Sequence, residues 1–209
     1  MRFILLFTLF LPLRATVSAQ APFEGTIVYD FTFRDRTGQM TDEQARTFLG
    51  TEQTYRIRGG SYASQLDGLV GMTVVYQGGD SLFTYFLNAP QVLYNVVTVA
   101  DDSLISYTIE EDVAEIAGVP CDLLTILSRA GTTRYYYSTD YPADARLFAR
   151  HRFGWWSLCT ELTGSLPLKT VTDLEHLYTE GTARIIRAEP VNDAAFAVPD
   201  RPRVAAPTE

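Results

Sequence analysis

Apolar and polar positions alternate along most of the chain. From Phe23 to Arg34 (FEGTIVYDFTFR), Phe23, Ile27, Tyr29, Phe31 and Phe33 occupy odd positions, whereas Glu24, Thr26, Asp30, Thr32 and Arg34 occupy even ones. Side chains alternate across a strand with period two, so this stretch predicts one long, half-buried strand. Its apolar face could line a packed core, a lipid-facing surface or the floor of a ligand groove. Similar runs follow, separated by turn residues. Gly59-Gly60 divides TYRIR from SYASQL, and Gly78-Gly79 divides MTVVYQ from DSLFTYFL. Two glycines at such a point supply the positive φ of a tight hairpin. Asn88-Ala89-Pro90, Asp101-Asp102-Ser103, Ala130-Gly131 and Glu180-Gly181 punctuate the later runs. No crossover helices intervene, which predicts an antiparallel meander.

Two segments break the alternation. Thr41 to Leu49 begins with a capping box, Thr41 with Gln44, and Gly50 follows it, predicting a short helix. Ala143 to Leu162 lies between Pro142 and Gly164. At about 100° per residue, Leu147, Phe148, His151, Trp155, Leu158, Cys159 and Leu162 fall in one arc of about 120°. That stripe would face the sheet and carry Cys159 toward it. Phe153 and Trp156 fall outside it, beside Arg146, Arg150 and Arg152. They are either an exposed contact site or, if Gly154 breaks the helix, core. The predicted fold class is α+β, mainly β: a curved antiparallel sheet with a helix against its concave face.

The N-terminus sets the compartment. Arg2, the apolar run Phe3 to Leu13 and the small residues of ATVSAQA read as a signal peptide over 1–19. The apolar run is too short to span a bilayer. Residues 20–199 then form a single β-rich domain, and 200–209 (the PRVAAPTE end) a disordered tail. The expected location is periplasmic or secreted, with no transmembrane segment. Loss of Arg2 and Arg14 with the leader leaves 15 basic residues against 25 acidic, a net charge of −10. Such a charge argues against nucleic acid as a partner. Cys121 and Cys159 are the two cysteines. In an exported chain they can form a disulfide, worth about 4 kcal/mol by loop-closure entropy. Two free buried thiols or a redox pair are the alternatives.

Catalytic chemistry is sparse. The histidines are His151 and His176. His151 lies on the helical stripe, and its eight-residue separation from Cys159 is two turns, too far for a nucleophilic pair on a straight helix. Asp173 and Glu175 share one strand face while His176 points away, a poor metal site. The glycine pairs sit in hairpins and not between a strand and a helix, so they are poor phosphate cradles. We expect no enzyme activity, cofactor or metal.

Several pieces together resemble a family. EGTIVYDFTF follows the leader, Ile116-Ala117-Gly118-Val119-Pro120-Cys121 opens a strand, RYYYSTDYP comes one hairpin later, and SLPLKTV and AAFAVP complete the set. The chain resembles the exported GLPGLI-type proteins and, more distantly, the LolA/LolB-like lipoprotein-carrier superfamily. That resemblance implies an open half-barrel whose concave side, covered by helices, receives acyl chains. The aromatics Tyr29, Phe31, Phe83, Tyr85, Phe153, Trp155 and Trp156 are the candidate ligand contacts. The expected function is non-enzymatic binding of a hydrophobic ligand, a lipid or a lipidated envelope protein. The alternative is a structural or interaction module with a fully packed core.

Overall fold

The structure, a computed structural model, describes residues 21–207. The predicted signal peptide over 1–19 and its junction with the domain therefore lie outside the described residues. Twelve strands form one sheet in the order β12-β6-β5-β4-β3-β2-β1-β11-β10-β9-β8-β7. They are β1 (Gly25–Asp35), β2 (Glu52–Arg58), β3 (Ser61–Leu66), β4 (Thr73–Gln77), β5 (Ser81–Tyr85), β6 (Val92–Val96), β7 (Leu104–Ile116), β8 (Val119–Ser128), β9 (Gly131–Pro142), β10 (Ser165–Leu174), β11 (Leu177–Ala188) and β12 (Arg203–Ala205). All neighbours are antiparallel except β12 on β6. Helix α1 (Asp42–Leu49) follows β1, and its capping box is formed by Gln44 N–H on Thr41 Oγ1 and Thr41 N–H on Gln44 Oε1. Helices α2 (Ala145–Phe148) and α3 (Trp156–Thr163) connect β9 to β10.

One short connection forces the sheet to curl. Strands β6 and β7 are ten steps apart in the sheet but joined only by residues 97–103. Laid flat, ten steps would span about 48 Å. The connection reaches at most about 27 Å when fully extended. The sheet is therefore strongly curved, yet open, with β7 and β12 as its edges. Its concave face carries Ile27 and Tyr29 of β1, Tyr55 and Ile57 of β2, Tyr62 of β3 and Tyr76 of β4, all buried. Asp30 and Arg34 point the other way, toward Arg184 and Asp42. On the opposite face, Ala63 and Val75 are covered by Val191 and Phe196 of the C-terminal segment.

Three expectations are corrected, and one alternative is decided. The segment over 143–162, readable as one helix or as two with a break at Gly154, is two short helices joined by a 3-10 turn, Phe153–Trp155. Gly154 (φ 61°) and Trp155 (φ 63°) both adopt the left-handed region. Only glycine enters it without steric cost. Tyr135 Oη donates to the Gly154 carbonyl at 2.5 Å, and Gly154 N–H donates to Asp101 at 3.1 Å, holding the break. The break turns Phe153 and Trp156 into the core and leaves Leu147 41% exposed.

Glu180-Gly181 is not a turn but the middle of β11, where Gly181 pairs with Phe31 and Thr170. Part of the tail expected to be disordered is ordered, because backbone groups hold it where side-chain hydrophobicity is low. Arg203–Ala205 add to β6 as β12, and the Arg201 guanidinium donates to the carbonyls of Phe86, Leu87 and Ala89.

Cys121 and Cys159 are free, buried thiols and form no disulfide. Their packing explains this. Leu124, Ile126, Tyr135 and Tyr137 pack with Cys159, whereas Cys121 belongs to a separate core cluster with Ile116, Leu166 and Leu168. Burial pushes the Cys159 thiol up to about 12, and burial also raises that of Cys121.

Two outcomes follow from this packing. Thiol alkylation without reductant should label neither cysteine in the native protein and both after unfolding, and peptide mapping should find no linked pair. A Phe153→Ser, Trp156→Ser variant should lose about 3–5 kcal/mol in a urea titration, as large core truncations do, rather than the small change of a surface substitution.

Candidate functional site

The concave face is filled mostly by aromatic rings. Tyr55 stacks on Tyr62 with centroids 5.3 Å apart, and Tyr62 lies 5.6 Å from Tyr76. Strand register brings this row together. Ile57 pairs with Tyr62 and Tyr62 with Tyr76, so neighbouring strands present their rings to one side. The helical segment adds Phe148, His151 and Trp156. Trp156 meets Phe148 edge-on at 5.9 Å, and His151 meets Tyr76 edge-on at 4.5 Å. Tyr62 Oη and His151 Nε2 are 2.8 Å apart, a buried hydrogen bond between sheet and cover.

Beside this packed region, a pocket of about 170 Å³ remains where β1, β2, β10 and β11 meet α3. Tyr29, Phe31, Tyr55, Trp156, Thr170 and Gly181 line it, with Gln53, Pro167 and Thr179 at its margins. None of these side chains is charged. Tyr29 Oη donates to the Pro167 carbonyl at 2.8 Å, and Gln53 donates to Ser64 at 2.7 Å. Gly181 keeps the floor open. A Cβ there would make ordinary contacts, 3.5 Å from the Gln53 oxygen and 3.8 Å from Tyr29.

Polar satisfaction is incomplete at this site. Tyr55 Oη, Trp156 Nε1 and His151 Nδ1 are buried and have no hydrogen-bond partner among the described residues. Each such group costs about 1–3 kcal/mol relative to a satisfied one. Tyr55 and Trp156 both line the pocket. Burial raises the Tyr55 hydroxyl well above its usual range, with Tyr62 adding to the effect. Burial likewise pushes the His151 imidazole down to about 4.

A second, wider cleft of about 590 Å³ lies between the 97–103 connection and the helical cover. Trp155, Leu158 and Leu104 form its apolar part, and Asp102, Arg146, Arg152 and Glu161 its charged rim.

The candidate aromatics are thus divided. Tyr29, Phe31 and Trp156 share the pocket, Phe153 packs into the adjoining core, and Trp155 faces the wider cleft. Phe83 and Tyr85 are corrected. They pair with Val75 and Thr73 on the outer face, where Arg203 lies 4.7 Å from the Phe83 ring. Alternation within β5 is real, but only register with β4 decides which side it faces. Tyr55, Tyr62, Tyr76, Thr170 and Gly181 were not singled out from sequence. Tyr55 and Ile57 of TYRIR did carry the alternation that places them on one side.

No protein-family model matches the chain, and no curated protein matches it. Among solved structures, PNGF-II is similar in two crystal forms, with TM-scores of 0.49 and 0.48 at 11% and 10% identity. These alignments cover 87% of this chain and 32% and 31% of PNGF-II, so the chain spans about a third of that protein's length. A LolA superfamily protein from Nitrosomonas europaea is similar with a TM-score of 0.37 at 7% identity, over 84% of this chain and 90% of that one. None of these likenesses bears on activity. No helix among the described residues is long and apolar enough to cross a membrane.

The depressed His151 pKa has a signed consequence for stability. The unfolded imidazole, near 6.5, binds its proton more tightly than the folded one, near 4. Stability is therefore fully present above pH 6.5 and is lost as pH falls toward 4, by on the order of 3 kcal/mol. Denaturation of the parent and of a His151→Gln variant across this range should show the parent's advantage shrinking by about that amount.

Proposed function

We propose that the protein is an exported, non-enzymatic binding protein. It takes an apolar group carrying an uncharged hydrogen-bond acceptor, such as the ester or amide carbonyl of a lipid or lipidated partner. The observation that carries this reading is the pair of unpartnered buried donors, Tyr55 Oη and Trp156 Nε1, on an uncharged aromatic pocket. Buried polar groups in native proteins are nearly always satisfied, so unsatisfied ones in a pocket favour a ligand that satisfies them. The absence of charge from the lining disfavours an ionised ligand, which would lose its hydration without a counter-ion.

Size limits what enters. The pocket holds about 170 Å³, below the roughly 300–1,000 Å³ of sites for drug-sized ligands. It accommodates the carbonyl and the first few carbons of a chain. A longer chain needs the helical cover to shift at the Gly154-Trp155 break. The leader-like N-terminus supports a role in the cell envelope.

A second reading, a structural or interaction module with a fully packed core, is favoured by the density of the rest of the concave face. Tyr76, Ile27 and Phe148 there are at most 1% exposed.

Native mass spectrometry of the protein purified from its own envelope should show a co-purifying lipid or acylated partner. A Gly181→Leu variant, which fills the pocket floor, should weaken binding of a fluorescent fatty-acyl ester roughly tenfold or more while leaving the fold intact. Bare protein from the envelope together with unchanged probe binding in Gly181→Leu would leave the packed-module reading.

A further inference from the structure

We infer that the free edge of β7 is a docking site for an extended strand of a partner protein, an apolar segment flanked on both sides by Lys or Arg. The sheet treats its two edges differently. On one side, Arg203–Ala205 add as β12 and cover β6. On the other, β7 pairs only with β8, and every residue from Leu104 to Val113 is exposed. An unpaired edge presents a row of backbone N–H and C=O groups to any strand that can align with them. Edges are commonly blunted by a bulge, an inward charge or a proline. Here the register with β8 shifts at Ile105 and again at Glu111–Val113, where Asp112 has φ 53°, and Ser106 to Glu110 pair regularly between the two. The preceding LISYTI, Leu104 to Ile109, contains no charge and no proline.

The side chains of that stretch are apolar on the concave side. Tyr107 and Ile109 pair with Ile126 and Leu124, and at 47% and 44% exposure they extend the buried face out to the rim. Leu104 also lines the 590 Å³ cleft with Trp155 and Leu158. A strand added to β7 would gain backbone hydrogen bonds along the edge and a cleft for a side chain at its Leu104 end, the two components of strand-addition recognition.

Charge selects the occupant. The apolar stretch is bracketed by Asp101-Asp102 before it and Glu110-Glu111-Asp112 after it. Antiparallel pairing with a second copy of this chain would set one acidic end against the other, which like-charge repulsion opposes. Lysine or arginine on both flanks of a partner strand instead meets acid at either end, whichever direction the strand runs.

The test uses the mature chain and two synthetic peptides with the alternating core Val-Thr-Val-Thr-Val-Thr, one between paired lysines and one between paired glutamates. The lysine-flanked peptide should bind in fluorescence anisotropy, more weakly as salt rises, and should slow amide hydrogen exchange along Leu104 to Glu110. The glutamate-flanked peptide should not bind. Tyr107→Lys and Ile109→Lys, both at exposed positions, should each weaken binding roughly tenfold without loss of thermal stability. Equal binding of the two peptides, protection elsewhere in the sheet, or indifference to both lysine variants would overturn the proposal. So would a concentration-dependent dimer that protects β7 and excludes the peptide, or phosphatidylcholine vesicles that protect β7 when the peptide does not.

Discussion

Everything on the concave face depends on a connection that is too short for a flat sheet. Residues 97–103 must join the sixth strand to the far edge of a twelve-stranded sheet, and only a strongly curled sheet brings those positions within reach. Curling in turn aims the aromatic rows of β1 to β4 at a common interior. That interior must be covered, and α2 and α3, inserted between β9 and β10, cover it. Arg152 N–H donates to the Val97 carbonyl at 2.7 Å, so the cover is tied to the same connection that imposes the curl.

The cover fits because it is broken. A continuous helix over 143–162 would place Phe153 and Trp156 in water. Left-handed backbone at Gly154 and Trp155 redirects both rings inward. Trp155 carries the steric cost of that conformation, which is of order 1–3 kcal/mol for a non-glycine residue. Burial of Trp156 against Tyr55, Tyr62 and Phe148 offsets it. The same movement brings an indole N–H and a tyrosine hydroxyl to an uncharged pocket without supplying an acceptor for either. Packing and polar satisfaction are thus in conflict at Tyr55 and Trp156, which line the pocket beside Gly181.

The outer surface is shaped by different forces. Beyond β6, backbone hydrogen bonds and Arg201 hold a polar C-terminal segment in place. Beyond β7 nothing among the described residues does so, and an uncharged strand bracketed by acids faces solvent. Acidic residues at both ends of an open apolar edge oppose antiparallel pairing of that edge with itself through charge repulsion.

Local patterns in the sequence determined the strands, most hairpins, the α1 capping box and the mainly-β antiparallel class, because alternation, glycine pairs and capping residues act over a few positions. They also determined that Ile27, Tyr29 and Phe31 share a face. Tertiary structure decided which face of each strand is inside. Phe83 and Tyr85 alternate as well as Tyr29 and Phe31 do, yet register with β4 turns them outward. Cys121 and Cys159 could be joined on paper, but tertiary packing places them in separate core clusters. Glu180-Gly181 reads as a turn, but pairing on both sides with β1 and β10 keeps it extended. Each of these outcomes depends on partners outside the local stretch or on a choice between two equivalent faces, and a period-two pattern carries no information about which of its two faces a neighbouring strand will cover.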